Sequence, residues 1–280
     1  MNICFDNDRR LRRKSYLFEY KGHQFKLVQS NPRKWADTLL TILPADDDTL
    51  REKAFSVASE FLSALCWQNN ARTAIAGGGG RGWDRDWKLS NANPTIYEFP
   101  TIPFGGNVIG YDISVLPLVE TDPQKVALTL YREAGASNNN YLSFLFYWQI
   151  LETGGTNAEG FVNKTFRKKP RELRLGRENI DSRLNLNGKS LGEYLRDECR
   201  DAIAHIRRKP GKKRIDLDKA EDRLRVIIST NIVQVFAKYY IEHVLKLQKK
   251  LYLVRSGRGK FPFYADEKYT LENRCEIAYR

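Results

Sequence analysis

Residues 141–152 read YLSFLFYWQILE and are apolar on nearly every side. A helix with that pattern cannot rest on a surface with one face in water; it belongs among other helices. The stretch therefore demands a bundle, and its neighbours supply the partners. In DPQKVALTLYREA (122–134), Asp122 is placed to cap a helix and Pro123 to open it, with Val126, Ala127, Leu130 and Ala134 as the apolar stripe. SLGEYLRDECRDAIAHIRR (190–208) starts with Ser190 and Glu193 at capping-box spacing. Its Leu191, Tyr194, Leu195, Ala202, Ile203 and Ile206 fall on one face, with Cys199 between them, and Pro210-Gly211 ends it. DLDKAEDRLRVIISTNIVQVFAKYYIEHVLKL (216–247) reads as one long helix or two, capped by Asp216.

The N-terminal part has a different texture. SYLFEY and QFKLV flank KGH as two strands around a tight turn. DDDTLREKAFSVASEFLSALCW follows as a helix with its acids at the front. Residues 70–120 mix glycine, proline and asparagine with β-formers such as TIYEF and NVIGYDISV. The run AGGGGRGWDRDW (76–87) lacks both the Gly-Lys-Ser/Thr of a phosphate loop and the strand–turn–helix setting of a dinucleotide fingerprint, and is read as a flexible surface loop, with a ligand-contacting loop as the alternative. KLYLV and FPFYA make the end of the chain extended. The expected fold is mainly α: an α+β region over 1–120, a C-terminal helical bundle over 121–250 and an extended tail over 251–280.

Charge narrows the partner. The chain of 280 residues carries 47 Lys and Arg against 34 Asp and Glu, a formal net charge of +13. The excess is clumped in RRLRRK (9–14), FRKKPRELRLGR (166–177) and IRRKPGKKR (206–214), which points to a polyanion, nucleic acid first. A solvated set of lysine-rich loops is the bland alternative. The clumps lack the aromatic apolar face of a membrane-surface helix, and no apolar run reaches the roughly 20 residues of a bilayer span. Cys4, Cys66, Cys199 and Cys275 are scattered, as are His23, His205 and His243. That predicts reduced thiols, no metal site and no cofactor. With no secretory signal recognised, it also predicts a cytoplasmic location, so the sequon Asn163-Lys164-Thr165 carries little weight.

The most chemical stretch is YLRDECRDAIAH (194–205). At helical spacing Asp197, Asp201 and His205 form one row, and Arg196 and Arg200 the next, both flanking the apolar face. Asp201 is then placed to orient the His205 imidazole, a general base near neutral pH, while Arg200 holds a phosphate. An ordinary charged helix margin, with Asp201 and His205 merely paired, fits the same spacing.

Arg200-Asp201-Ala202-Ile203-Ala204-His205 resembles the R-x(4–6)-H motif of HEPN (higher eukaryotes and prokaryotes nucleotide-binding) domains. Its order after YREA and FLFYWQILE is similar to the Apea-like HEPN branch, and to proteins labelled as methylamine-utilisation accessory proteins, over about residues 122–250. That resemblance implies a HEPN-type helical bundle that pairs as a homodimer, joining two motifs in one cleft. It implies a metal-independent endoribonuclease acting by 2′-OH attack, in defence or toxin systems with an antitoxin or other partner protein. Mapped here, His205 is the acid/base, Arg200 the phosphate ligand and Asp201 the orienting group, with Arg207, Arg208, Lys209, Lys212, Lys213 and Arg214 along the RNA backbone. Asparagine is common after the motif arginine, and Asp201 instead adds negative charge beside a phosphate site. The resemblance equally covers HEPN-like proteins that bind RNA, nucleotides or proteins without cleaving.

Overall fold

The computed structural model describes residues 2–7, 15–28, 37–41, 48–69, 71–78, 115–168, 173, 184, 186–204, 215–216, 218–247, 251–253 and 268–269. By its internal contacts the chain divides into two units, Met1–Val119 with Gln248–Arg280, and Glu120–Leu247. The fold is mainly α, and the described strands all belong to the first unit.

In that unit β1 (Asn2–Asn7), β2 (Ser15–Tyr20), β3 (His23–Val28), β4 (Asp37–Thr41) and β5 (Thr73–Gly78) form one antiparallel sheet in the order β2-β3-β4-β1-β5. The expected hairpin is present. Lys21 and Gly22 both have positive φ, 48° and 76°, the signature of the two-residue turn whose twist matches paired strands. Helix α1 (Asp48–Asn69) covers the sheet through Phe61, whose ring stacks on Phe18 at 4.5 Å and meets the edge of Tyr20. Buried Glu60 accepts from the Tyr20 hydroxyl and pairs with Lys21, so a carboxylate in this core has two partners. Gly77 and Gly78, the start of the glycine-rich run, lie in β5; residues 79–87 fall outside the described residues. A second sheet pairs β6 (Val115–Pro117) with β7 (Leu251–Leu253), and β7 with β8 (Lys268–Tyr269), so the start of the expected tail is a strand within the first unit.

The second unit is the bundle. Helix α3 (Asn140–Glu152) packs on α2 (Asp122–Ala136) and on α6 (Ala220–Tyr239), and also meets α4 (Ala158–Lys168) and the helical stretch over 191–204. Helix α5 begins at Leu191–Tyr194, widens into a π-helical turn over Leu195–Arg200 and continues over Asp201–Ala204. Phe144, Tyr147, Trp148, Ile150 and Leu151 of α3 are buried, as its sequence requires.

Three local expectations shift. Thr121, not Asp122, caps α2, in a reciprocal box with Gln124. The buried face of α2 is Gln124, Ala127, Leu128, Tyr131, Arg132 and Ala134, which leaves Val126 47% exposed. The rotation follows from Gln124, whose side-chain amide donates to the Leu245 carbonyl at 2.8 Å and so turns inward. Asp216 does not cap α6: it accepts from the Asp218 N–H, and the helix starts after Lys219 without a side-chain cap.

Candidate functional site

The site expected from sequence lies on α5, and the π turn decides its geometry. Within it the Asp201 N–H donates to the Arg196 carbonyl, five residues back. Each residue of such a turn advances by less than in an α-helix, so Asp201 is shifted off the α-helical row of Asp197. Buried Cys199 faces α6, where its thiol donates to the Ser229 hydroxyl at 3.2 Å. Leu191, Tyr194 and Leu195 are buried beside it, and burial pushes the Tyr194 phenol up to about 12.

The polar flank separates into two groups. Asp197 is held by Lys189 at 3.4 Å and by the Arg196 Nε at 3.0 Å. Burial raises its pKa, but the hydrogen bonds and charges of Arg196 and Lys189 outweigh that and hold it below the usual carboxylate value. Lys189 also donates to Glu198 at 2.7 Å, and that bond is the main cause of its raised pKa. Arg225 of α6 lies 2.9 Å from Asp222 and 4.0 Å from Glu198. Asp201 is hydrogen-bonded to Arg200 instead, accepting from its Nη1 at 3.0 Å with the Arg200 side chain 35% exposed, while its charge still acts on Arg196. Two of the three expected catalytic residues are thus brought together. His205 and the expected RNA-binding residues Arg207, Arg208, Lys209, Lys212, Lys213 and Arg214 lie outside the described residues.

Sequence reasoning missed what holds α5 in place. Helix α4 runs antiparallel to it at very close range. The Gly192 N–H donates to Asn163 Oδ1 at 2.8 Å, and one α4 turn away Arg196 pairs with Glu159. A Cβ on Gly192 would stand 2.5 Å from the Glu159 carbonyl oxygen, so glycine is what allows the approach. Asn163, the sequon asparagine, is therefore an internal tie between helices. Glycine in the first turn of a polar-flanked helix was the available signal for a close neighbour.

Among the described residues no three His, Cys, Asp or Glu side chains come together as a metal site, and no helix is long and apolar enough to cross a membrane. A family model described as methylamine utilization protein MauJ matches residues 127–242, a span that begins in α2 and takes in the whole of α5. Neither the curated proteins nor the solved structures give a match.

Proposed function

We propose that the helical unit is a HEPN-type, metal-independent endoribonuclease, working in the cytoplasm as a defence or toxin effector. The observation that carries this reading is the half-open Arg200, adjacent to Asp201 at the end of a π turn, inside the span similar to the MauJ family. Such turns recur at functional positions because they re-aim side chains that a regular helix would stack. His205 takes the 2′-OH proton, the 2′ oxygen attacks the adjacent phosphorus, and the 5′ oxygen leaves with a proton. Arg200 stabilises the charge that develops on the phosphate. The product ends are a 2′,3′-cyclic phosphate and a 5′-hydroxyl. The basic segment 207–214 engages the RNA backbone, and a homodimer supplies the second Arg–His motif.

A second reading has its own observation: Asp201 neutralises Arg200 at 3.0 Å, which suits a HEPN-like protein that binds RNA, a nucleotide or an accessory partner without cutting. Incubation of the full chain with RNA in EDTA separates the two. Cleavage that leaves cyclic phosphate ends, and falls about 10²- to 10⁴-fold in His205→Ala, supports the nuclease. Activity that survives His205→Ala, or that disappears with EDTA, overturns it.

A further inference from the structure

The sequence offers two basic segments near the site, and the α4–α5 packing puts the start of one of them next to the helix that carries Arg200 and Asp201. The two contacts between the helices fix their register: Asn163 lies against Gly192, and Glu159 against Arg196. Going up α4 therefore means going down α5. Buried Ala158, Val162 and Thr165 turn one side of α4 into the bundle, and Glu159 and Asn163 turn the adjoining side toward α5. The remaining face is exposed and carries Gly160, Lys164, Arg167 and Lys168. Lys164 and Lys168 are one turn, about 6 Å, apart on it.

These cations differ from those at the start of α5. Lys189 and Arg196 are matched by Asp197, Glu198 and Glu159. Lys164, Arg167 and Lys168 are exposed and form no ion pair with a described residue. Arg167 and Lys168 also suit the negative end of the α4 dipole, but Lys164, a turn earlier, has no such role. Measured along the helices from Lys168, past the Glu159–Arg196 crossing, to Arg200, the cations cover about 20 Å.

We propose that Lys164, Arg167 and Lys168 form a backbone-binding track for single-stranded RNA that leads, past Arg196, to Arg200. The inference rests on the ribonuclease reading and adds to it the face on which the substrate lies. A row of exposed cations on one helix face, next to the helix that carries Arg200, is what a polyanion engages, whatever its sequence. The exposed face of α4 has no large apolar side chain, since Phe161 and Phe166 are both partly covered. An anionic membrane surface would need such side chains.

The test is binding of a fluorescent single-stranded RNA to the full chain in a His205→Ala background, at several salt concentrations. The triple variant Lys164→Gln, Arg167→Gln, Lys168→Gln is set against a charge-matched control, Lys219→Gln, Lys238→Gln, Lys246→Gln. Loss of three phosphate contacts should flatten the slope of log Kd against log salt by about 2 and weaken binding roughly tenfold or more at 0.1 M salt, with the control close to the parent. An unchanged slope in the triple variant, or an equal change in the control, overturns the track and leaves the ribonuclease reading standing. A parent that binds no RNA, whether or not it binds phosphatidylserine vesicles, overturns both.

Discussion

The tightest contact next to the site makes a single methyl group a probe of how α5 is held. In Gly192→Ala the new Cβ would lie 2.5 Å from the Glu159 carbonyl oxygen and 3.0 Å from both terminal atoms of Asn163. The Asn163 amide has freedom to move; the Glu159 carbonyl belongs to the backbone of α4 and does not. The helices must therefore part by several tenths of an ångström, which strains the Gly192–Asn163 hydrogen bond and the Arg196–Glu159 pair together. Forced overpacking costs about 1–3 kcal/mol, while alanine recovers at most about 1 kcal/mol of helix propensity over glycine. The net expectation is a loss of about 1–2 kcal/mol. With a urea slope of about 2 kcal/mol/M, the midpoint of the full chain followed by helical circular dichroism should fall by about 0.5–1 M. Adding Asn163→Ala should not restore it, because the obstructing atom is main chain. A Gly192→Ala protein as stable as the parent, or one rescued by Asn163→Ala, would refute the reasoning.

Asp197→Asn should lower stability at neutral pH by about 1 kcal/mol in urea titrations. Because the folded-state pKa of Asp197 is depressed, its contribution is present above the ordinary carboxylate range and vanishes as pH falls through the folded value, so parent and variant should converge in acid; a constant gap would count against the Lys189–Arg196 cage. Asp201→Asn removes the charge that neutralises Arg200, so RNA affinity measured by gel shift should rise and its salt dependence steepen; weaker binding would show that Asp201 serves another purpose. Tyr240→Phe takes away a hydroxyl that donates to the Thr153 carbonyl at 2.5 Å and lies 2.8 Å from the Thr156 hydroxyl, and should cost about 1–2 kcal/mol in the same urea assay, a neutral result being the refuting one.

What was legible in the sequence was what local rules control. The hairpin around Lys21-Gly22 could be read because two β-forming runs flank a short turn containing glycine, and α3 because an all-round apolar helix has one place to go. The face of α2 was misread for a physical reason. Apolar counting favours Val126, but Gln124 is taken inward by a partner that no periodicity reveals, the Leu245 carbonyl 121 residues on, and Arg132 is buried as well. Asp216 was expected to cap α6. Its own N–H donates instead to Asp222 and its carboxylate accepts from Asp218, so the loop closes before the helix begins.

The site shows the same division more sharply. Arg200 and Asp201 are neighbours in the chain, and their pairing needed no long-range information. The π turn did, since an i→i+5 bond is worth forming only when something outside the helix rewards it. Here Cys199 rests on Ser229 and Tyr194 is buried beside it, while Arg196 is drawn the other way to Glu159. The widened turn satisfies both, and in doing so it detaches Asp201 from the row that spacing had given it with Asp197. The pairing of Arg200 with Asp201 is thus local, while the placement of that pair, on which both functional readings turn, is set by the packing of α5 between α4 and α6.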